Sequence, residues 1–213
     1  MFLWDPPSLS HRDRFPSLRW AIDALFRFFA KRCDKLVLNI HPGLLDEIGF
    51  SPRAGQAEFR IQDAWEGVKF RQVQECGKED FEYDFGVLSN WESGKGADLM
   101  TAAMKQMPGK RCLWIGNPPA KRDAFPGIYF SGRLQQETAF ERLRRCRWLV
   151  VPYLPTHALK WNYPLKLFEY LELGRPIVAS DNPGNAAVAK LYADRVRLFR
   201  SGDLNDFIRV VNL

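Results

Sequence analysis

Metal-ligand spacing is missing from this chain. Its 213 residues include four cysteines and three histidines. Cys33, Cys76, Cys112 and Cys146 stand apart, with no C-x-x-C pair and no histidine beside them, so neither a zinc site nor a disulfide framework is expected. Reduced thiols of a cytosolic protein are the plainer reading. His11 and His41 show no ligand spacing, and no D-x-D motif occurs. No apolar run is long enough to span a bilayer, and Asp5, Pro6 and Pro7 interrupt the start, so neither a membrane span nor a signal peptide is expected. Internal repeats and low-complexity segments are absent as well. The net charge of +6 is not gathered into a patch interleaved with aromatics. Arg142, Arg144, Arg145 and Arg147 share a segment with Glu137 and Glu141 and read as a solvated face. Nothing therefore points to nucleic acid; a basic surface meeting anionic lipid fits the count equally well.

What is present is apolar. Hydrophobic residues make up 46% and aromatics 14% of the chain, enough for a packed core and incompatible with general disorder. From Tyr83 onward, short apolar runs alternate with amphipathic ones: YDFGVL, GADLMTAAMKQ, RCLWIG, IYF, QQETAFERLRRC, WLVVPY, PLKLFEYLELG, PIVAS, PGNAAVAKLY, VRLF and DLNDFIRVV. Buried strands between helices predict an α/β fold, a Rossmann-like parallel sheet flanked by helices. Polar residues 71–82 read as a linker. Ahead of it, Leu18–Arg32 predicts a helix with Arg19, Arg27, Lys31 and Arg32 as its basic members. A membrane-surface helix is one reading. A core helix is preferred, because Trp20, Ile22, Leu25, Phe26 and Phe29 wrap most of its circumference.

The most informative stretch is WNYPLKLFEYLELGRPIVASD, from Trp161 to Asp181. Asn162 can cap a helix and Pro164 suits its first turn. Gly174 is placed to end that helix in a left-handed conformation, and Pro176 prevents its continuation into the buried strand Ile177–Ala179. Lys166 and Glu169 interrupt an otherwise apolar helix and are neighbours at i, i+3. Free amides at a helix start attract an anion, and a carboxylate one turn in can accept hydrogen bonds from sugar hydroxyls. A simple ion pair of Glu169 with Lys166 or Arg175 explains the acid too.

PLKLFEYLELGRPIVASD resembles the signature of group 1 (family 4) glycosyltransferases, whose fold is the two-domain GT-B arrangement. SNWESGKGADLM resembles that family's phosphate loop, with Lys95-Gly96 at its K-G. The resemblance implies that helix-start amides around Pro164 and Leu165, together with Lys95, Gly96 and Lys166, meet the donor's phosphates, and that Glu169 binds the ribose. Gly116, Arg133, His157 and Lys160 are further candidates around the nucleotide and the donor-sugar rim; no catalytic residue is assigned. Two departures stand out. Trp161 occupies the position where many members carry a second glutamate near the sugar, and Gly86 is followed by Val87 rather than by arginine. CDKLVLNIHPGLLDEIGF resembles the segment closing the family's N-terminal domain.

These likenesses imply residues 1–70 as a remnant of the N-terminal acceptor domain and residues 83–213 as the nucleotide-sugar-binding domain, in a transferase shorter than two full Rossmann-like halves. The expected activity is sugar transfer from a nucleoside-diphosphate donor to a glycan or lipid-linked acceptor, without a metal or other cofactor. The expected place is the cytoplasm or the inner membrane face, with peripheral contact to anionic lipid. The alternative is a truncated, inactive module that only binds the nucleotide sugar.

Overall fold

The computed structural model describes residues 2–3, 16–38, 40–59, 81–163 and 165–212, with the backbone alone described for Phe2, Leu3, His157 and Ala158. The expected linker falls outside them except for Phe81 and Glu82.

Among the described residues, two parallel sheets form. The smaller has the order β1 (Phe2–Leu3), β2 (Leu36–Leu38), β3 (Ala57–Phe59). Helix α1 (Arg19–Ala30) and the short α2 (Gly43–Glu47) join it. Its core is Phe26, Ala30, Leu36, Leu38, Ile40, Leu44, Leu45, Ile48 and Phe50. Buried Gln56 ties α1 to β3 by donating from Nε2 to the carbonyls of Ala30 and Cys33, at 2.9 and 2.6 Å.

The core reading of α1 has to be corrected. Phe26 and Ala30 are buried, but Trp20 is 73% exposed, Leu25 58%, Phe28 49% and Phe29 56%. The sequence places apolar residues all around the helix, whereas the small sheet covers one side only.

The larger sheet holds β4 (Tyr83–Leu88), β5 (Cys112–Ile115), β6 (Ile128–Gly132), β7 (Cys146–Val151), β8 (Ile177–Ser180) and β9 (Val196–Phe199). Their spatial order is β6-β5-β4-β7-β8-β9, parallel throughout. Helices α3 (Ala97–Gln106), α4 (Gln136–Arg144), α5 (His157–Trp161), α6 (Leu165–Glu172), α7 (Pro183–Leu191) and α8 (Leu204–Val211) connect or follow these strands, except that a single 3-10 turn at Arg122–Ala124 joins β5 to β6.

The near-continuous apolar runs follow from burial on both faces. In β5, Cys112 and Trp114 point into one core with α3 and α8, while Leu113 and Ile115 point into the other with α4, α6 and α7. In β8, Val178 likewise parts from Ile177 and Ala179. Gly174 does end α6 with φ +70°, and the Ile177–Ser180 strand is buried throughout.

Burial also sets an alkaline limit. It pushes the Cys146 thiol from 9.0 to about 12 and the Tyr153 hydroxyl from 10.0 to about 12. The unfolded chain loses these protons first, so stability is complete below pH 9 and is lost as pH rises toward 12. Chemical denaturation should show a loss on the order of 3 kcal/mol between pH 8 and pH 11; a flat profile would contradict the assignment.

Candidate active site

Strand order 3-2-1-4-5-6 reverses between β4 and β7, and in open α/β sheets that switch point leaves a crevice outside the carboxyl ends of the strands. The loops after β4 and β7 meet there. The Leu154 amide donates to the Gly94 carbonyl at 3.0 Å. Gly96 adopts φ +85°, and a Cβ on it would lie 2.2 Å from the Pro152 carbonyl oxygen, so only glycine allows the two loops to approach this closely. Gly116 plays the same part between β5 and β4: at φ +145° its Cβ would lie 2.0 Å from the Ser89 carbonyl oxygen.

Aromatic packing fixes the first loop. Trp91 packs edge-on against Trp114, Phe125 and Phe130, with centroids 4.6, 4.7 and 4.9 Å away. Trp114 Nε1 donates to the Ser89 carbonyl at 2.7 Å. The resulting turn carries Lys95 with its Nζ 4.5 Å from the centre of the Tyr153 ring.

Tyr153 is buried just past the end of β7. Its raised pKa comes mainly from burial; a hydrogen bond with Ser89 opposes that shift, and the negative charges of Glu169 and Glu92 add to it. Its carbonyl accepts from Asn182 Nδ2 at 3.1 Å and from Ser201 Oγ at 3.0 Å. The neighbouring Tyr170 hydroxyl accepts the Leu88 amide at 2.7 Å, which satisfies the end of β4 and anchors α6 against it.

On α6, Lys166 Nζ donates to Glu169 Oε2 at 2.8 Å. The Glu169 side chain is 14% exposed and that of Lys166 32%, so the acid is the more enclosed member. The ion-pair reading therefore holds for Lys166, whereas Arg175 donates from Nε to the Cys146 carbonyl instead. Lys95 therefore lies beside Tyr153 on the β4 loop, and the Lys166–Glu169 pair sits in the first turns of α6, the helix that follows β7. A phosphate can replace Glu169 as the partner of Lys166, which frees the carboxylate to accept hydroxyl donors.

The other expected residues are distributed unevenly. Leu165 opens α6 and is 40% exposed. Arg133 is exposed just past β6. Pro164 and the side chain of His157 lie outside the described residues; the backbone of His157 starts α5, which Thr156 caps. Lys160 turns toward the smaller sheet, 3.3 Å from Glu47. Asn162 does not act as the expected cap: it pairs with Ile40 in an isolated antiparallel bridge, and its Oδ1 is buried without a partner. The contact of residues 40–47 with residues 160–163 had no local signal in the sequence.

The family model for group 1 glycosyl transferases matches residues 82–212, more than half of the chain. The chain belongs to that family. No curated protein sequence matches this glycosyl transferase chain. It is similar in fold to HepE from Anabaena, solved with UDP, at 13% identity and TM-score 0.65, covering 91% of this chain and 57% of HepE. It is also similar to sucrose-phosphate synthase from Thermosynechococcus elongatus, at 14% identity and TM-score 0.62, covering 92% and 52% of the two chains. The lipopolysaccharide outer core galactosyltransferase WaaB gives 12% identity and TM-score 0.53, covering 93% and 71%. The chain thus spans about half the length of the first two, and its fold is that of the GT-B glycosyltransferases. Among the described residues, no helix is long and apolar enough to cross a membrane.

Proposed function

We propose that this chain holds the nucleoside diphosphate of a sugar donor outside the carboxyl ends of β4 and β7, and serves transfer of the sugar to a glycan or lipid-linked acceptor. The observation that carries the reading is the meeting of the β4 and β7 loops at the switch point, where Leu154 donates to Gly94 and Lys95 Nζ lies 4.5 Å from the Tyr153 ring centre, with the Lys166–Glu169 pair on the helix that follows. The UDP held by HepE supports the nucleotide class.

In the reaction, the bond between the anomeric carbon and the diphosphate oxygen breaks, leaving negative charge on the diphosphate and positive character on the sugar ring; an acceptor hydroxyl oxygen bonds to that carbon, and its proton passes to the departing diphosphate or to solvent. In this reading Lys95, Lys166 and the first-turn amides of α6 stabilise that departing charge, and no metal ion is called on. Glu169 accepts the ribose hydroxyls and so fixes the nucleoside.

The family match is confined to residues 82–212, and a second reading is a module that binds the donor without turning it over. Calorimetry with UDP, GDP and a short oligonucleotide tests the binding claim: a nucleoside diphosphate binds and the oligonucleotide does not. Donor turnover by this chain, against a chain extended to the length of the relatives, separates the two readings.

The exposed apolar side of α1, with Lys31 and Arg32 at its end, supports peripheral contact with anionic lipid. Sedimentation with phosphatidylglycerol vesicles, but not with phosphatidylcholine vesicles, is the expected outcome. Loss of that difference in Phe28→Asp would place the contact on this helix.

A further inference from the structure

Trp161 stands four residues before the start of α6 and packs against the smaller sheet's unit. Its Nε1 donates to Glu47 Oε2 at 2.7 Å. The His41 ring stacks on the indole, with centroids 5.5 Å apart and planes 24° apart. The His41 amide donates to the Trp161 carbonyl at 2.7 Å, and Ile40 pairs with Asn162. Gly43 lies flat against the indole: a Cβ there would sit 2.2 Å from the ring.

Glu47 is the hub of this contact. Arg19 Nη2 donates to its Oε1 at 2.6 Å, while Lys160 Nζ reaches its Oε2 at 3.3 Å. On the other side, Gly184 at the start of α7 closes on the Asn162 backbone, where an added Cβ would meet the carbonyl oxygen at 2.1 Å. Residues 160–163 are therefore clamped between two elements, directly upstream of the helix that carries Lys166 and Glu169.

The geometry points to a latch: Glu47 and Trp161 are positioning residues through which the N-terminal unit sets the mouth of α6 and hence nucleotide affinity. The inference rests on the nucleotide reading above. A side chain that donates to a carboxylate on another unit reports that unit's position, and the three residues between it and α6 leave little slack for the helix start to ignore it. Coupling between two such sites changes affinity by roughly 5- to 150-fold.

The test uses the full chain. Glu47→Ala should speed amide hydrogen exchange across residues 160–167 while leaving β7 and β8 unchanged, and should raise the UDP Kd about fivefold or more. Trp161→Phe keeps the stack on His41 but has no N–H to donate; it should weaken UDP binding too, and the double variant should be less than additive. Gly43→Val, which forces the indole away by a different route, should reproduce the loss, whereas Lys35→Ala, at the surface pair with Glu58, should change nothing. Unchanged UDP affinity in Glu47→Ala and Gly43→Val overturns the latch alone. A wild-type chain that binds neither UDP nor GDP removes the nucleotide reading, and the latch's role in affinity with it.

Discussion

Replacing Gly96 with alanine should destabilise the larger α/β unit by about 3 kcal/mol, the sum of left-handed backbone strain and an overpacked contact. The contact matters more than the strain. Gly96 at φ +85° would drive a Cβ to 2.2 Å from the Pro152 carbonyl oxygen and 2.6 Å from that proline's ring. Both neighbours are rigid, so either the Lys95 loop or the β7 loop has to move. Gly109 supplies the control: it has nearly the same φ, +86°, and nothing within 4 Å of its added Cβ. Gly109→Ala should cost only the strain, about 1 kcal/mol. Urea denaturation of both variants checks the difference; equal losses would show that close loop approach contributes nothing.

Glu169→Ala should weaken nucleoside-diphosphate binding by about 10- to 100-fold, the range for losing hydrogen bonds to a charged group. Stability should barely change. The Lys166–Glu169 pair is an i, i+3 contact whose lysine is 32% exposed, and such pairs contribute only about 0.5 kcal/mol or less. That contrast separates a ligand role from a structural one. Calorimetry paired with thermal unfolding of the same variant reads both quantities. Intact affinity would assign Glu169 to its lysine alone.

The alternation from Tyr83 onward was legible because strands buried on both faces and short amphipathic helices leave different periods in the sequence. Gly174, Pro176 and the Lys166–Glu169 spacing were legible for the same reason: each depends on residues within one turn. The exposure of Trp20, Leu25 and Phe29 was not. Apolar residues all around a helix show what it could bury, while the number of partners is set by the rest of the fold. Asn162 was misread as a cap because its backbone is claimed by Ile40, more than a hundred residues earlier. The Glu47–Trp161 bond joins residues 114 apart, and no local pattern announces such a meeting. Tyr153 could be placed at a strand end, but its meeting with Lys95 depends on β4 and β7 being neighbours, and that follows only from the sheet order.

The measurement that bears most directly on the nucleotide site is amide hydrogen exchange of the wild-type chain with and without saturating UDP or GDP. The site described here predicts protection at residues 93–96 after β4 and at residues 165–169 in the first turn of α6, with little change at the 120–124 loop. Binding that protects other segments and leaves these two unaffected would contradict it.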